Sequence, residues 1–386
     1  MTVGAHPARP APWPGVPPDV TGVTWRGTLD DDEAVRRLDE AVAAVDAPDV
    51  VFALSRYGRR TVRTGGTAPP PPVPRDRLRY EMGSASKTFT GLLLAHLTQT
   101  GLLSAGEPAA ALLDPARRPG GDPVTLAHLI THTSGLPGLP GDFFVRALPT
   151  WRTNPYARYP AERVVDAFLR HRQRHRPGTR WHYSNFGVAV LGHALAAATA
   201  TPWDELLTGR VLDPLGLSGA TLAPGGPDTD AGGHRKDGTT PVPPLTVGGF
   251  QAAGAVRATP HDLLTFLEAH LDPSDRPLTG ALRAVRRPVL RRGLGHRQVH
   301  TVAWFQHPTE CGPMYFQRRG DTRSAGLPGL PARHRNGAGR NVHPPLPRPR
   351  CLRADRVHPA GRDVAGRRVR HRRRHRVLRR AATGPE

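Results

Sequence analysis

Ser84 and Lys87 are the residues whose types and spacing could do chemistry. In Met82-Gly83-Ser84-Ala85-Ser86-Lys87-Thr88-Phe89-Thr90 a serine stands three residues before a lysine, at the predicted start of an apolar helix through Gly91–Leu97. Residues i and i+3 share a helix face, so Ser84 meets Lys87 while Ser86 points elsewhere. A serine hydroxyl becomes a nucleophile when a base lies beside it, and an amine desolvated in a pocket can be that base. Composition singles the lysine out. The chain has 54 Lys and Arg, of which only Lys87 and Lys236 are lysines. Arginine stays protonated in proteins, so a lysine in an arginine-rich chain points to a removable proton. An ordinary capped helix start uses the same residues, so the pair needs partners before it means catalysis.

Tyr183-Ser184-Asn185, just before a second apolar helix at Gly187–Ala198, offers them. A tyrosine beside an ammonium group is expected to have its pKa lowered far enough to relay protons. The Asn185 amide can bond both a substrate carbonyl and a lysine. Tyrosine and asparagine in a turn before a helix are common, and the signal comes from finding them downstream of the Ser84–Lys87 pair with a helical region between.

The remaining elements have to position these groups. Asp30–Val45 reads as an amphipathic helix with acids in its first turn, where they suit the helix dipole. Val50–Tyr57 and Arg60–Arg63 read as two strands about a glycine turn, and Pro69–Pro74 as a loop. The Ser84 helix stops near Thr100-Gly101. Val124–Leu136 reads as a short helix running into a Ser-Gly turn, Gly138–Arg158 as an aromatic loop, and Glu162–Arg172 and Trp203–Leu212 as helices. Residues 223–246 form a loop, Gly254–Arg257 a short strand, and Thr259-Pro260-His261-Asp262 caps a helix at Leu263–Leu271. Val299–Phe305 and Met314-Tyr315-Phe316 are the last strand-like pieces.

A length of 386 residues allows one large domain or two of ordinary size. The formal charge of +22 suggests an anionic partner, but its distribution argues otherwise: residues 318–386 hold 20 Arg, no Lys and four acids. The body is only mildly basic. After Phe316 there is no aromatic residue, Ile or Met, and runs such as His371-Arg372-Arg373-Arg374-His375-Arg376 repel themselves, so this tail is expected to be disordered. Cys311 and Cys351 are too few for a disulfide framework or a four-cysteine zinc site. Met1–Val20 has no basic region followed by an apolar one, and no run reaches spanning length. The expected organisation is a flexible Pro-rich lead at 1–22, a catalytic domain at 23–316 and the tail at 317–386, in a cytoplasmic protein without a membrane span.

In order, the blocks MGSASKTFTGLLLAHL, VTLAHLITHTSGLP, PGTRWHYSNFGVAVLGHAL, WDELLTGRVLDPLGL and AAGAVRATPHDLLTFL resemble the serine β-lactamase and penicillin-binding-protein superfamily. The likeness is to its class C, D-alanyl-D-alanine carboxypeptidase and esterase branch, over roughly residues 25–316. It implies an α+β fold, an antiparallel sheet flanked by helices plus a helical subdomain. It implies acyl transfer with Ser84 as nucleophile, Lys87 sharing its proton, Tyr183 as general base and then acid, and Asn185 orienting the substrate amide. The N–H of Ser84 would supply one oxyanion donor. The substrate would be a small ester, amide or β-lactam, with no cofactor.

The departure is at the third motif. The superfamily places a strand with His-x-Gly or Lys-Thr-Gly after the tyrosine motif, and here the chain reads Gln317-Arg318-Arg319-Gly320. The Arg, Pro, His and Gly text that follows stands where the resemblance expects C-terminal strands and a final helix. A shifted reading frame in a GC-rich gene produces such text. Without those strands Val50–Arg63 is expected to have few partners, and the chain to be poorly folded and weakly active or inactive.

Other classes fit less well. His128 and His132 have metal-ligand spacing but lack the glutamate of H-E-x-x-H. G-x-S-x-G is absent, which removes an α/β-hydrolase. The arginine tail would bind nucleic acid without specificity, having no aromatic side chain for base stacking. A catalytically dead member acting as a binding protein is the remaining alternative.

Overall fold

Two helices that are apolar nearly all round organise the fold, because such a helix can only be a core helix. A computed structural model describes residues 31–56, 58–116, 122–151, 153–235, 240–292, 298–309 and 312–317. The lead at 1–22, Lys236, Cys311, Cys351 and the tail at 318–386 lie outside the described residues.

In chain order the structure runs α1 (Asp31–Ala43), β1 (Val50–Arg56), β2 (Arg59–Gly65), β3 (Tyr80–Glu81), α2 (Ser86–Gln99), α3 (Ala109–Leu113), α4 (Leu126–Ile130), α5 (Phe143–Ala147), α6 (Ala161–Leu169) and α7 (Asn185–Thr199). It continues with α8 (Trp203–Leu207), β4 (Gly233–His234), β5 (Pro241–Val242), α9 (Gln251–Gly254), β6 (Arg257–Ala258), α10 (Pro260–Leu271) and α11 (Thr279–Ala284). Four strands close the described part: β7 (Pro288–Arg292), β8 (Gln298–Thr301), β9 (Phe305–Thr309) and β10 (Gly312–Phe316).

The core helices are α2 and α7. Leu92, Leu93 and Leu94 of α2 and Val188, Val190 and Leu191 of α7 are wholly buried in one continuous core. Phe89 of α2 stacks on Phe266 of α10 with ring centroids 3.9 Å apart. The antiparallel sheet, in the order β10-β9-β8-β7, lies beside α2. A Cβ built on Gly91 would meet the Cβ of Ala303 at 2.7 Å and its Cα at 3.2 Å. Glycine there lets the helix touch the β8–β9 turn backbone to backbone.

Among the described residues β1 pairs only with β2, from Val50 opposite Gly65 to Arg56 opposite Arg59. The hairpin is docked by side chains instead of by a further strand. Ser55 Oγ donates to Glu268 at 2.6 Å, Arg60 donates to the same carboxylate at 2.8 Å, and Arg63 pairs with Asp39 of α1 at 2.9 Å.

Several elements differ from their sequence-based expectation. Val299–Phe305 is two strands, because Thr301 turns the chain: its N–H donates to the Trp304 carbonyl and its hydroxyl accepts the Trp304 N–H, both at 2.8 Å. Gly254–Arg257 is the end of α9 and the start of β6, which pairs with β3. Trp203–Leu212 is α-helical only to Leu207 and continues as a π-turn, Thr208–Leu212. The aromatic loop contains α5 and a 3₁₀ turn, Leu148–Thr150. Within Val124–Leu136 only Leu126–Ile130 is helical. The α10 cap agrees with the reading: Thr259 and Asp262 form a reciprocal capping box. No single helix among the described residues is long and apolar enough to cross a membrane.

Candidate active site

Ser84 sits in a 3₁₀ turn, Gly83–Ala85, directly before α2. Gly83 takes φ +49°, a left-handed conformation that suits glycine. Val256 holds both flanks of this turn. Its carbonyl accepts the Met82 N–H at 2.9 Å, and its N–H donates to Ser86 Oγ at 3.0 Å. Ser86 is thus a buried structural group, and Ser84 faces the other way.

Lys87 is 2% exposed. Its Nζ donates to the Ala253 carbonyl at 2.8 Å and to Ser84 Oγ at 3.2 Å. Burial pushes its pKa down to about 7, since a low-polarity site disfavours the ammonium. Tyr183, from the extended segment ahead of α7, donates its hydroxyl to Ser84 Oγ at 2.7 Å. Its ring lies 5.1 Å from the Lys87 nitrogen. Contrary to the expectation of a lowered pKa, burial raises it, and the bond to Ser84 only partly offsets that. Three of the four residues singled out therefore meet on one oxygen atom.

Asn185 is placed differently. As the first residue of α7 it donates through Nδ2 to Tyr156 Oη at 3.1 Å, and its Oδ1 is buried with no partner. The expected contact with the lysine is not among its bonds. Ser184 caps α7, accepting the Gly187 N–H at 2.8 Å, and donates to the Pro137 carbonyl at 2.6 Å.

His132, spaced from His128 like a metal ligand, packs beside the tyrosine instead. Its Nδ1 accepts the Ser184 N–H at 3.2 Å, its carbonyl accepts the His182 N–H at 2.8 Å, and its ring packs 4.6 Å from that of Tyr183. Burial and the neighbouring Lys87 push its pKa down to about 3, so the ring stays neutral. His128 accepts the Thr125 N–H at the start of α4. Both rings serve the backbone, and among the described residues no group of three His, Cys, Asp or Glu is placed to hold a metal ion. The block around His132 was visible in the sequence; its contact with Tyr183 was not.

Gln317, immediately after β10, donates through Nε2 to the Ser84 carbonyl at 3.1 Å. The sheet edge thus reaches the serine turn at the position where the third motif was sought. Trp181 lies 6.5 Å from Tyr183, ring to ring, and carries Arg292 over its face at 3.7 Å.

A helical body stands against an antiparallel sheet, and a serine, a buried lysine and a tyrosine are brought together on one oxygen atom. The family model described as Beta-lactamase matches residues 34–330, and the chain belongs to that family. It is 29% identical over 212 residues to a beta-lactamase of Pseudomonas fluorescens, covering 53% of this chain and 54% of the relative. It is 28% identical over 195 residues to the D-alanyl-D-alanine-carboxypeptidase/endopeptidase AmpH of Escherichia coli strain K12, covering 49% and 48%. The chain spans about half the length of the curated relatives it matches. Among solved structures, a beta-lactamase/D-alanine carboxypeptidase from Pseudomonas syringae superposes with TM-score 0.60 at 24% identity, over 72% of this chain and 76% of that one. D-alanine carboxypeptidase AmpC from Burkholderia cenocepacia gives 0.55 at 25%, over 72% and 73%.

Proposed function

We propose that this chain is a serine hydrolase that works through an acyl-enzyme on Ser84, with an ester, amide or β-lactam as substrate. The observation that carries the reading is the convergence of Tyr183 and Lys87 on Ser84 Oγ. The family's name and the carboxypeptidase relatives support the same chemistry.

The electrostatics favour Lys87 over Tyr183 as the resting base. A buried amine with a pKa of about 7 is partly neutral at neutral pH, whereas the tyrosine hydroxyl keeps its proton. In the acylation step the neutral Lys87 nitrogen takes the Ser84 proton as Oγ attacks the carbonyl carbon. The resulting oxyanion faces the Ser84 N–H. The carbon–leaving-group bond then breaks, and the leaving group takes the proton by way of the Tyr183 hydroxyl. Water, deprotonated by the same pair, hydrolyses the ester and restores Ser84. Asn185 Oδ1, buried and unpartnered, is the acceptor for a substrate N–H.

Turnover is expected to be weak. Gln317-Arg318-Arg319 stands in for the triplet that lines the cleft in the superfamily, and we attribute residues 317–386 to a shifted reading frame. The test is labelling with a fluorescent penicillin and with a fluorophosphonate, read by intact mass. One adduct per chain, absent from Ser84→Ala, is expected. No adduct with either reagent from a chain that melts cooperatively would make it a binding protein instead.

A further inference from the structure

The outer face of α5 and of the 3₁₀ turn that follows it is apolar and largely open to solvent among the described residues, with Phe144 leaning on Trp151 at 5.7 Å. Phe144, Val145 and Leu148 are 39%, 71% and 67% exposed. They lie at i, i+1 and i+4 and so share one side of the turn. Phe143 and Ala147, on the other side, are each 1% exposed. Phe143 packs among Tyr156, Tyr159 and Phe250 at 5.1–5.7 Å. The outward trio is therefore held on a rigid mount.

A basic cleft adjoins it. Arg163, Arg170, His171, Arg172 and Arg174 line one cavity together with Asp142, the residue that precedes α5. Asp142 and Asp166, the acids beside these arginines, are already engaged. Asp142 accepts from Tyr159 at 2.5 Å, Arg146 at 3.1 Å and Arg163 at 3.2 Å, and Asp166 pairs with Arg170 at 2.8 Å. Arg172 and Arg174 pair with no carboxylate among the described residues.

We propose that the Phe144–Val145–Leu148 face and the arginines beside it dock this domain on an anionic lipid surface. Apolar side chains projecting from a helical turn enter the boundary between headgroups and acyl chains, and guanidinium groups pair with lipid phosphates. The adjoining uncompensated arginines favour anionic lipid over an apolar protein partner. Docking would also set the cleft close to the bilayer, since Tyr156 packs on Phe143 and holds Asn185.

The arginines of the tail would bring the full chain to anionic vesicles by themselves, so the experiment has to read insertion at α5. Val145→Cys, in a background of Cys311→Ser and Cys351→Ser, is labelled with an environment-sensitive NBD fluorophore. Vesicles of phosphatidylglycerol are expected to give a blue shift and a several-fold rise in emission, and vesicles of phosphatidylcholine neither. Adding Phe144→Ser and Leu148→Asp should abolish the change, while circular dichroism and Ser84 labelling stay as in the parent. Arg172→Glu with Arg174→Glu should weaken it about thirtyfold or more in lipid concentration, roughly what two lost lipid contacts amount to. Cosedimentation without a spectral change would overturn the proposal and leave the tail as the sole contact. Equal insertion into both lipids, or a blue shift that grows with protein concentration in the absence of lipid, would overturn it in favour of a neutral apolar partner or a second copy of the chain.

Discussion

Lys87 Nζ lies 3.2 Å from Ser84 Oγ, and its other hydrogen-bond partner is a main-chain carbonyl, not a carboxylate. The lysine is thus a buried amine without a counter-charge among the described residues, which makes its proton easy to lose.

The rate of Ser84 acylation should rise as pH passes through about 7 and level off above it, because only the neutral amine can accept the serine proton. Lys87→Arg cannot deprotonate and should lower the rate on the order of a hundred-fold or more at every pH. Stopped-flow labelling with a chromogenic ester from pH 5 to 9 measures both. A flat profile for the parent chain would remove Lys87 as the base.

The same burial costs stability. The folded pKa of about 7 lies below the ordinary value of 10.5, so between those values the unfolded chain holds more protons and stability rises with pH. The cost is full below about pH 7 and gone above 10.5. Lys87→Met should therefore stabilise the fold at pH 7, by roughly 1–3 kcal/mol after the lost bond to Ala253 is deducted, and raise the melting temperature. The gain should shrink as pH climbs. Calorimetry at pH 7 and pH 10 checks the sign.

Tyr183→Phe removes the hydroxyl 2.7 Å from Ser84 Oγ and leaves the ring against His132. Acylation should fall about a hundred-fold, with the melting temperature little changed. Because burial raises the tyrosine's pKa, the pH midpoint of the residual rate should stay with the lysine. A midpoint lost together with the hydroxyl would return the base role to Tyr183.

His132 holds the Ser184 N–H from a left-handed backbone conformation, φ +59°. Asparagine tolerates that conformation, so His132→Asn tests the ring. A loss of about 1–3 kcal/mol is expected at pH 7 from the forfeited buried bond and packing. The wild-type ring, neutral down to about pH 3, gives the unfolded chain the excess of protons between there and 6.5. Wild-type stability therefore falls as pH drops through that window, and the gap to the variant should narrow. Urea titrations at pH 4 and pH 7 decide it.

Sequencing genomic DNA across codon 317 should reveal an inserted or deleted base. An intact, uninterrupted frame confirmed across that codon would sink a sequencing error as the explanation of the arginine-rich segment.

Local rules carried the sequence reading far where the relevant groups are close in the chain. The Ser84–Lys87 contact follows from helix spacing, and the Thr259–Asp262 box from capping chemistry. Contacts between distant segments were not legible. Thr301 folding one apparent strand into two, Gln317 reaching Ser84, and His132 serving Tyr183 all depend on packing that no local pattern encodes. The sign of the Tyr183 shift was misread for the same reason. A neighbouring cation can be guessed from sequence, but the depth at which the tyrosine is buried cannot.

The glycine at position 91 acts as a keyway. Because α2 and the β8–β9 turn meet there without an intervening side chain, the sheet has no slack to slide along the helix that begins beside Ser84. A single added methyl group at Gly91 would push the turn outward, and the far end of the same sheet, at Gln317, would draw away from the serine.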